Sequence, residues 1–419
     1  MNKTLSKSLS LGVACFAGLF SQAMAQDYSI TNSPYLFGDW DGSRTSLAND
    51  GITFDLFHIF DSYDDIDGAL SNGTAYFGRF RARMNLDLEK LAGIEGGKFV
   101  VSGVHQYGRN YNRSRFGVFT NPSSIEGAET TRLAEFWFEQ TLAEGAFSYR
   151  LGKIDAVGAF GNQEYGSSFM NDEFAYVPNA IFGPALPYDP AEKLGLIATW
   201  VMTRPTASSD LYLKAGIFDT NNLDAYYDDH NGLRASWEGP VGYATEFGYR
   251  ENGSASAMPG FFKVGMHYNT GDFSTYNAEV EDNDYLFYTG LGKTLIYLGG
   301  DKSRHLDASI MWVYAPEDRN LYHHEFTAMA RFVGPFASRP QDELGIGLIA
   351  AFLSSDYSDA QVAAGGVKAN EEFTLELSYK AKVTGWLTIQ PSIQAVKNPQ
   401  GNGDRDTVWV TGIRGVINL

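Results

Sequence analysis

The stretch "AYFGRFRARMNLDL", residues 75–88, carries arginine at 79, 81 and 83. Tyr76, Phe80, Ala82, Met84, Leu86 and Leu88 occupy the other register. A helix would scatter the two sets around its circumference, whereas a strand sends them to opposite faces. One face is then apolar and aromatic, and the other carries Arg79, Arg81, Arg83, Asn85 and Asp87. A soluble β-protein folds the apolar face into a core. A membrane barrel turns it toward lipid and points the charges into a lumen.

The chain ends and composition favour the barrel. Lys3 and Lys7 precede a short apolar run, Leu9 to Phe20, and Ala23-Met24-Ala25 reads as a cleavage site. Residues 1–25 are therefore expected to be a secretory signal peptide, with an apolar run too short to span a bilayer. Cys15 lies within it, and Gly12 three residues earlier is a poor lipobox residue. The mature chain has no cysteine, so no disulfide or thiolate metal site is expected, and no cofactor. Formal net charge is −18 from 32 Lys+Arg and 50 Asp+Glu. Loss of Lys3 and Lys7 leaves 30 − 50 = −20, which argues against nucleic acid as a partner. Aromatics are 14% and glycines number 45, a balance that suits an outer-membrane barrel.

Alternating runs recur near 52–62, 74–88, 97–108, 131–142, 145–154, 193–203, 209–218, 241–250, 260–270, 284–297, 304–314, 323–334, 343–354, 371–383, 385–396 and 406–419. In "EEFTLELSYKAKV", Phe373, Leu375, Leu377, Tyr379, Ala381 and Val383 share one face, while Glu372, Thr374, Glu376 and Ser378 share the other. In "HLDASIMWVY" both registers are partly apolar. Turns such as Ala143-Glu144-Gly145 are tight, whereas 109–130, 155–192 and 219–240 are long. The expectation is all-β: a single transmembrane antiparallel barrel of about sixteen strands over 52–419, with short periplasmic turns, long extracellular loops and periplasmic termini. Residues 26–51 form an N-terminal periplasmic segment. In it, Asp41 or Ser43 would cap a short helix over 44–49 that Gly51 ends.

Several motifs then carry a resemblance: "GDWDGSRTSLANDGITFDL", "SSIEGAETTRLAEFWFEQ", "YRLGKID", "HYNTGDF", "APEDRNLYHHEF", "RPQDELGIGLIAAF" and "YKAKVTGWLTIQPSIQAVKNPQG". Along nearly all its mature length the chain resembles the carbohydrate-selective porin family (OprB). Asp41 stands where that pattern leads us to expect a small residue. The resemblance implies a sixteen-stranded outer-membrane channel passing monosaccharides such as glucose.

A sugar pore must replace the water on each hydroxyl, for which charged donors and acceptors are strongest. A flat aromatic can receive the C–H face of the ring. Candidate pore-lining and sugar-binding residues are Arg79, Arg81 and Arg83, then Glu135, Trp137 and Glu139 in "TRLAEFWFEQTL", and Arg150. Ala134, Phe136 and Phe138 would then meet lipid. Arg109, Arg113 and Arg115 would fold inward from the loop after the third strand. Trp137 also reads as a packing residue, and Tyr243, Phe247 and Tyr249 read as membrane-interface girdle residues. Asp228 and Asp229 in "YYDDH" offer a hard-cation site, although a solvated loop tip is the simpler reading. His323 and His324 are adjacent, so a regular strand would separate them. No nucleophile elbow or phosphate loop is present, and no enzyme is expected. The expected partners are small glucose-like sugars, outer-membrane lipid and lipopolysaccharide; a homotrimer and a monomer both fit. Two other readings stay open: an anion or dicarboxylate porin, and a barrel enzyme or secreted sugar-binding β-protein.

Overall fold

Sixteen antiparallel strands hydrogen-bond in chain order, and the first closes on the last. The computed structural model describes residues 32–71, 73–109, 112–177, 183–220, 229–254 and 257–419; the expected signal peptide lies outside them. The barrel strands are β1 Ile52–Asp67, β2 Ala75–Asp87, β3 Gly97–Arg109, β4 Thr130–Leu142, β5 Phe147–Ile154, β6 Lys193–Thr203, β7 Ser209–Asp219 and β8 Val241–Glu251. They continue as β9 Gly260–Asn269, β10 Asp284–Leu298, β11 Asp301–Tyr314, β12 Tyr322–Val333, β13 Glu343–Leu353, β14 Glu371–Lys382, β15 Leu387–Lys397 and β16 Val408–Asn418. Closure runs from Phe57↔Asn418 to Asp67↔Trp409. It leaves the barrel without a free edge, and thereby sets aside an open sandwich.

Register separates the two faces as the arginine stretch requires. Phe136, Leu151, Trp200, Leu291, Ile310, Leu348 and Leu375 are exposed on the outside, while Asp61, Arg81, Glu135, Glu246, Asp307, Glu376 and Arg414 are buried inside. Tyr243 pairs with Tyr268 at one rim and Phe138 with Tyr149 at the other, as interfacial aromatics do. One expectation fails: Ala134 is fully buried rather than lipid-facing. On β4, Ala134 and Glu135 together oppose Ser102, because the register slips between Val101 and Gly103. This β-bulge lets Arg132 and Glu135 both turn inward.

Connections after even strands are short, among them 143–146, 204–208, 299–300 and 383–386. The longest, 155–192, follows β5. Its described residues fold into the lumen, where Val157, Phe160, Val177 and Leu186 form a core with wall residues Phe218, Leu286, Tyr288, Met311 and Val313. That packing explains the two apolar registers of β11. Two inward glutamates of β14 hold the loops down. Glu376 accepts from the backbone N–H of Met170 (2.8 Å) and Asn171 (3.0 Å). Glu372 accepts from Thr120 N–H (2.7 Å) and Thr120 Oγ1 (2.7 Å) in the loop after β3.

The N-terminal helix spans Ser43–Asn49. Its N-cap position is Gly42, not the expected Asp41 or Ser43, and it has no side-chain cap; Asp39, three residues earlier, reaches over so that its Oδ1 accepts from Thr45 N–H (3.0 Å) and Thr45 Oγ1 (2.9 Å). Asp41 lies at φ 54°, which explains why a small residue suits this position. Arg44 donates to the carbonyls of Leu419 (2.8 Å) and Phe54 (3.0 Å) and lies over Tyr35 and Trp40. It ties the segment to the seam where β1 meets β16.

Candidate pore constriction

β2 points Arg79, Arg81 and Arg83 into the lumen, where two carboxylates interleave with them. Arg79 Nη1 donates to Asp189 Oδ2 (2.9 Å), and Arg81 Nη2 donates to Asp189 Oδ1. Arg81 Nη1 reaches Glu135 Oε2 (3.4 Å), and Arg83 donates to the same oxygen through Nε (2.8 Å) and Nη2. The order down the wall is therefore Arg79, Asp189, Arg81, Glu135, Arg83. Glu135 also accepts from Ser102 Oγ (2.9 Å) and Trp137 Nε1 (3.2 Å), and Arg79 Nε donates to Gln106 Oε1 (2.7 Å). Ion pairs this enclosed are strong only while every partner remains.

Asp189 arrives on the inward loop, far from β2 in sequence. Burial opposes its ionisation, but Arg81 and Arg79 outweigh that and hold its carboxyl below the usual carboxylate range. Asp155, at the other end of the loop, accepts from Gly158 N–H (2.8 Å). Burial and the charge of Asp189 push its carboxyl up to about 7.

Glu139 and Arg150 pair below the ladder (2.7 Å). Trp137 is 5% exposed, with the Arg150 guanidinium 4.1 Å from its ring centre and Lys98 at 5.5 Å. Its geometry is that of a packing residue that holds Glu135, not of an open stacking platform. Arg113 folds inward and reaches Glu173 (3.4 Å). Arg115 pairs with Asp64 and Asp65 at the long-loop rim. Arg109 departs from the expected pore lining: it is exposed, and pairs in register with outward-facing Tyr76.

Asp229 is neither a solvated tip nor part of a three-ligand cluster. It is buried against Lys153 (3.3 Å) of β5 and Arg132 (4.0 Å) of β4. Asp228 lies outside the described residues. The His323 and His324 rings approach to 4.2 Å because the strand is bulged between Tyr322 and His324. Strict alternation does not hold there. Among the described residues, no group of three or more His, Cys, Asp or Glu could hold a metal ion.

The sequence reading missed a vestibule of about 260 Å³ above the ladder. Tyr176, Tyr188, Glu126, Asp172 and Gln106 line it together with Arg79, Arg113 and Asp189. Both tyrosines are half-buried and also pack against the loop core. The only local signal was acid and aromatic side by side in "PYDPAEK", 187–193.

A closed barrel with an apolar belt, narrowed inside by an inward loop and interleaved charges, is a porin-type channel. The model of the carbohydrate-selective porin, OprB family matches residues 71–419, and the chain belongs to that family. It is a sugar porin, a channel of the outer membrane. Porin B of Pseudomonas aeruginosa is 23% identical, over 95% of this chain and 94% of its own. The putative porin QuiX of Acinetobacter baylyi is 22% identical, over 98% and 99%. The high-pH structure of Pseudomonas putida OprB shares the fold, with TM-score 0.84 and 20% identity, over 94% of this chain and all of that one.

Proposed function

We propose that the pore passes neutral monosaccharides of the glucose type. In this reading the ladder of Arg79, Asp189, Arg81, Glu135 and Arg83 exchanges hydrogen bonds with their hydroxyls. The observation that carries this reading is the pairing itself. Each ladder arginine meets a carboxylate, so donors and acceptors alternate and charge is nearly balanced. A polyol needs both kinds of partner, whereas an anion needs unopposed donors. Tyr176 and Tyr188 offer ring faces to the sugar on entry. The long-loop rim faces the exterior and meets lipopolysaccharide, the belt meets outer-membrane lipid, and residues 1–25 direct export. The test is single-channel current with glucose and with small carboxylates. Millimolar glucose should block the current; block by carboxylates with indifference to sugars would replace this reading with an anion porin. For orientation, reagent on intact cells should reach Asn231→Cys but not Ala207→Cys; the reverse would invert the barrel.

A further inference from the structure

We infer that the pore holds a second monosaccharide subsite on the short-turn side of the ladder, built by Glu139, Arg150 and Lys214 over a small apolar floor. This rests on the sugar-pore reading and goes beyond it. A cavity of about 240 Å³ opens there between β4–β7 and the start of the inward loop, lined by these three residues with Thr199, Ala159 and Ile197. It falls below the roughly 300–1,000 Å³ of drug-sized sites, and so suits one small ring rather than an oligomer. Glu139 Oε2 accepts from Arg150 Nε (2.9 Å), with Nη2 of the same guanidinium 2.7 Å away in the ion pair, and the guanidinium lies over Trp137. The pair is only partly covered, at 24% and 31% side-chain exposure, unlike Glu135 at 8%. Its remaining oxygen and N–H groups are thus placed to meet adjacent hydroxyls. Lys214 Nζ is steadied by the Ala159 carbonyl (2.6 Å) and Glu246 (3.1 Å). Two of its three donors are used in this way. Ala159 and Ile197 supply a surface for the C–H side of the ring.

Two sites in series make physical sense for transport. A pore must bind well enough to admit its cargo and weakly enough to release it, and several shallow sites achieve this better than one deep one. A sugar leaving the ladder would exchange into the lower site before reaching the exit.

The experiment uses the full-length porin in a planar bilayer, oriented by a charged thiol reagent on Ala207→Cys, with glucose added to one side at a time. Glu139→Gln should slow glucose entry from the short-turn side at least five-fold and leave entry from the long-loop side within two-fold. Ala159→Leu, which fills the floor without changing charge, should do the same while leaving ion selectivity unmoved. If Glu139→Gln shifts only ion selectivity and Ala159→Leu leaves sugar entry from both sides as in the parent, the second subsite is refuted and the sugar reading stands. A parent channel that no sugar blocks from either side would instead overturn the sugar reading itself.

Discussion

At the scale of single residues, the constriction is decided by who shares which carboxylate. Glu135 takes donors from Arg81, Arg83, Ser102 and Trp137, so it ties the wall together and is an acceptor that the proposed sugar reading assigns to the ladder. Arg81→Ala or Arg83→Ala removes a charge-assisted donor worth roughly 1.5–3 kcal/mol, or about ten-fold to a hundred-fold in glucose affinity. Each should also move the channel toward cations, since Glu135 and Asp189 would be less opposed. Glu135→Gln should move reversal potential the other way and still weaken glucose block. Sugar block and reversal potential on one bilayer check all three; unchanged glucose affinity in the arginine variants would remove the ladder from sugar binding. Part of this site was legible in sequence. Arg79, Arg81, Arg83, Glu135 and Glu139 alternate with lipid-facing partners, and period two assigns their side directly. Asp189 was not legible, because a loop of this length can deliver an acid to any wall and only tertiary packing chooses which. Arg109 misled for the converse reason: it lies at the strand end, on the outer register, rather than in the loop.

At the scale of elements, alternation located all sixteen strands and failed where tertiary contacts override it. Ala134 is hidden by a bulge, His323 and His324 are brought together by another, and Met311 with Val313 is apolar inside because the inward loop packs there. Phe136 tests the β4 register. It is 48% exposed at the middle of the strand, so Phe136→Arg should cost about 2–4 kcal/mol, against much less for Phe147→Arg near the rim. Urea or heat unfolding in micelles reads the difference, and an undisturbed Phe136→Arg would shift the register by one. The loop anchors make a separate claim. Glu376→Ala leaves the Met170 and Asn171 amides without their acceptor, at roughly 1–3 kcal/mol each. The expected result is a wider, noisier channel with the barrel intact; conductance and noise equal to the parent would show that the apolar core alone holds the loop.

At the scale of the whole molecule, the lumen works as one electrostatic object whose charge varies with pH near its long-loop side. Five loop carboxyls have raised pKa values, in each case mainly through burial: Asp155 and Glu126 to about 7, Glu173 to about 8, and Asp172 and Glu192 upward as well. The charge of Asp189 adds to the rise at Asp155, whereas Arg113 tempers it at Glu126 and Glu173. Asp189 keeps its charge throughout, because the arginines hold its carboxyl low. Raising pH through 7 to 8 therefore adds negative charge to a lumen whose arginines stay cationic, and reversal potential should drift toward cation preference. The stability sign follows from the same shifts. An acid raised in the folded state binds its proton more tightly there than when unfolded. Its contribution is complete below the ordinary values of 3.8 for Asp and 4.5 for Glu. It declines as pH rises toward 7 to 8, so these carboxyls hold the inward loops most firmly below about pH 4 and least firmly above about pH 8. Neutral glucose has no charge to feel this field, so its entry should change less than ion preference does. Reversal potential from pH 5.5 to 9 in the parent and in an Asp155→Asn, Glu126→Gln, Glu173→Gln variant is the measurement. The parent should drift with a midpoint near 7 to 8 and the variant should drift clearly less. An equal drift in both would place the titration on the lumen wall rather than on the loops.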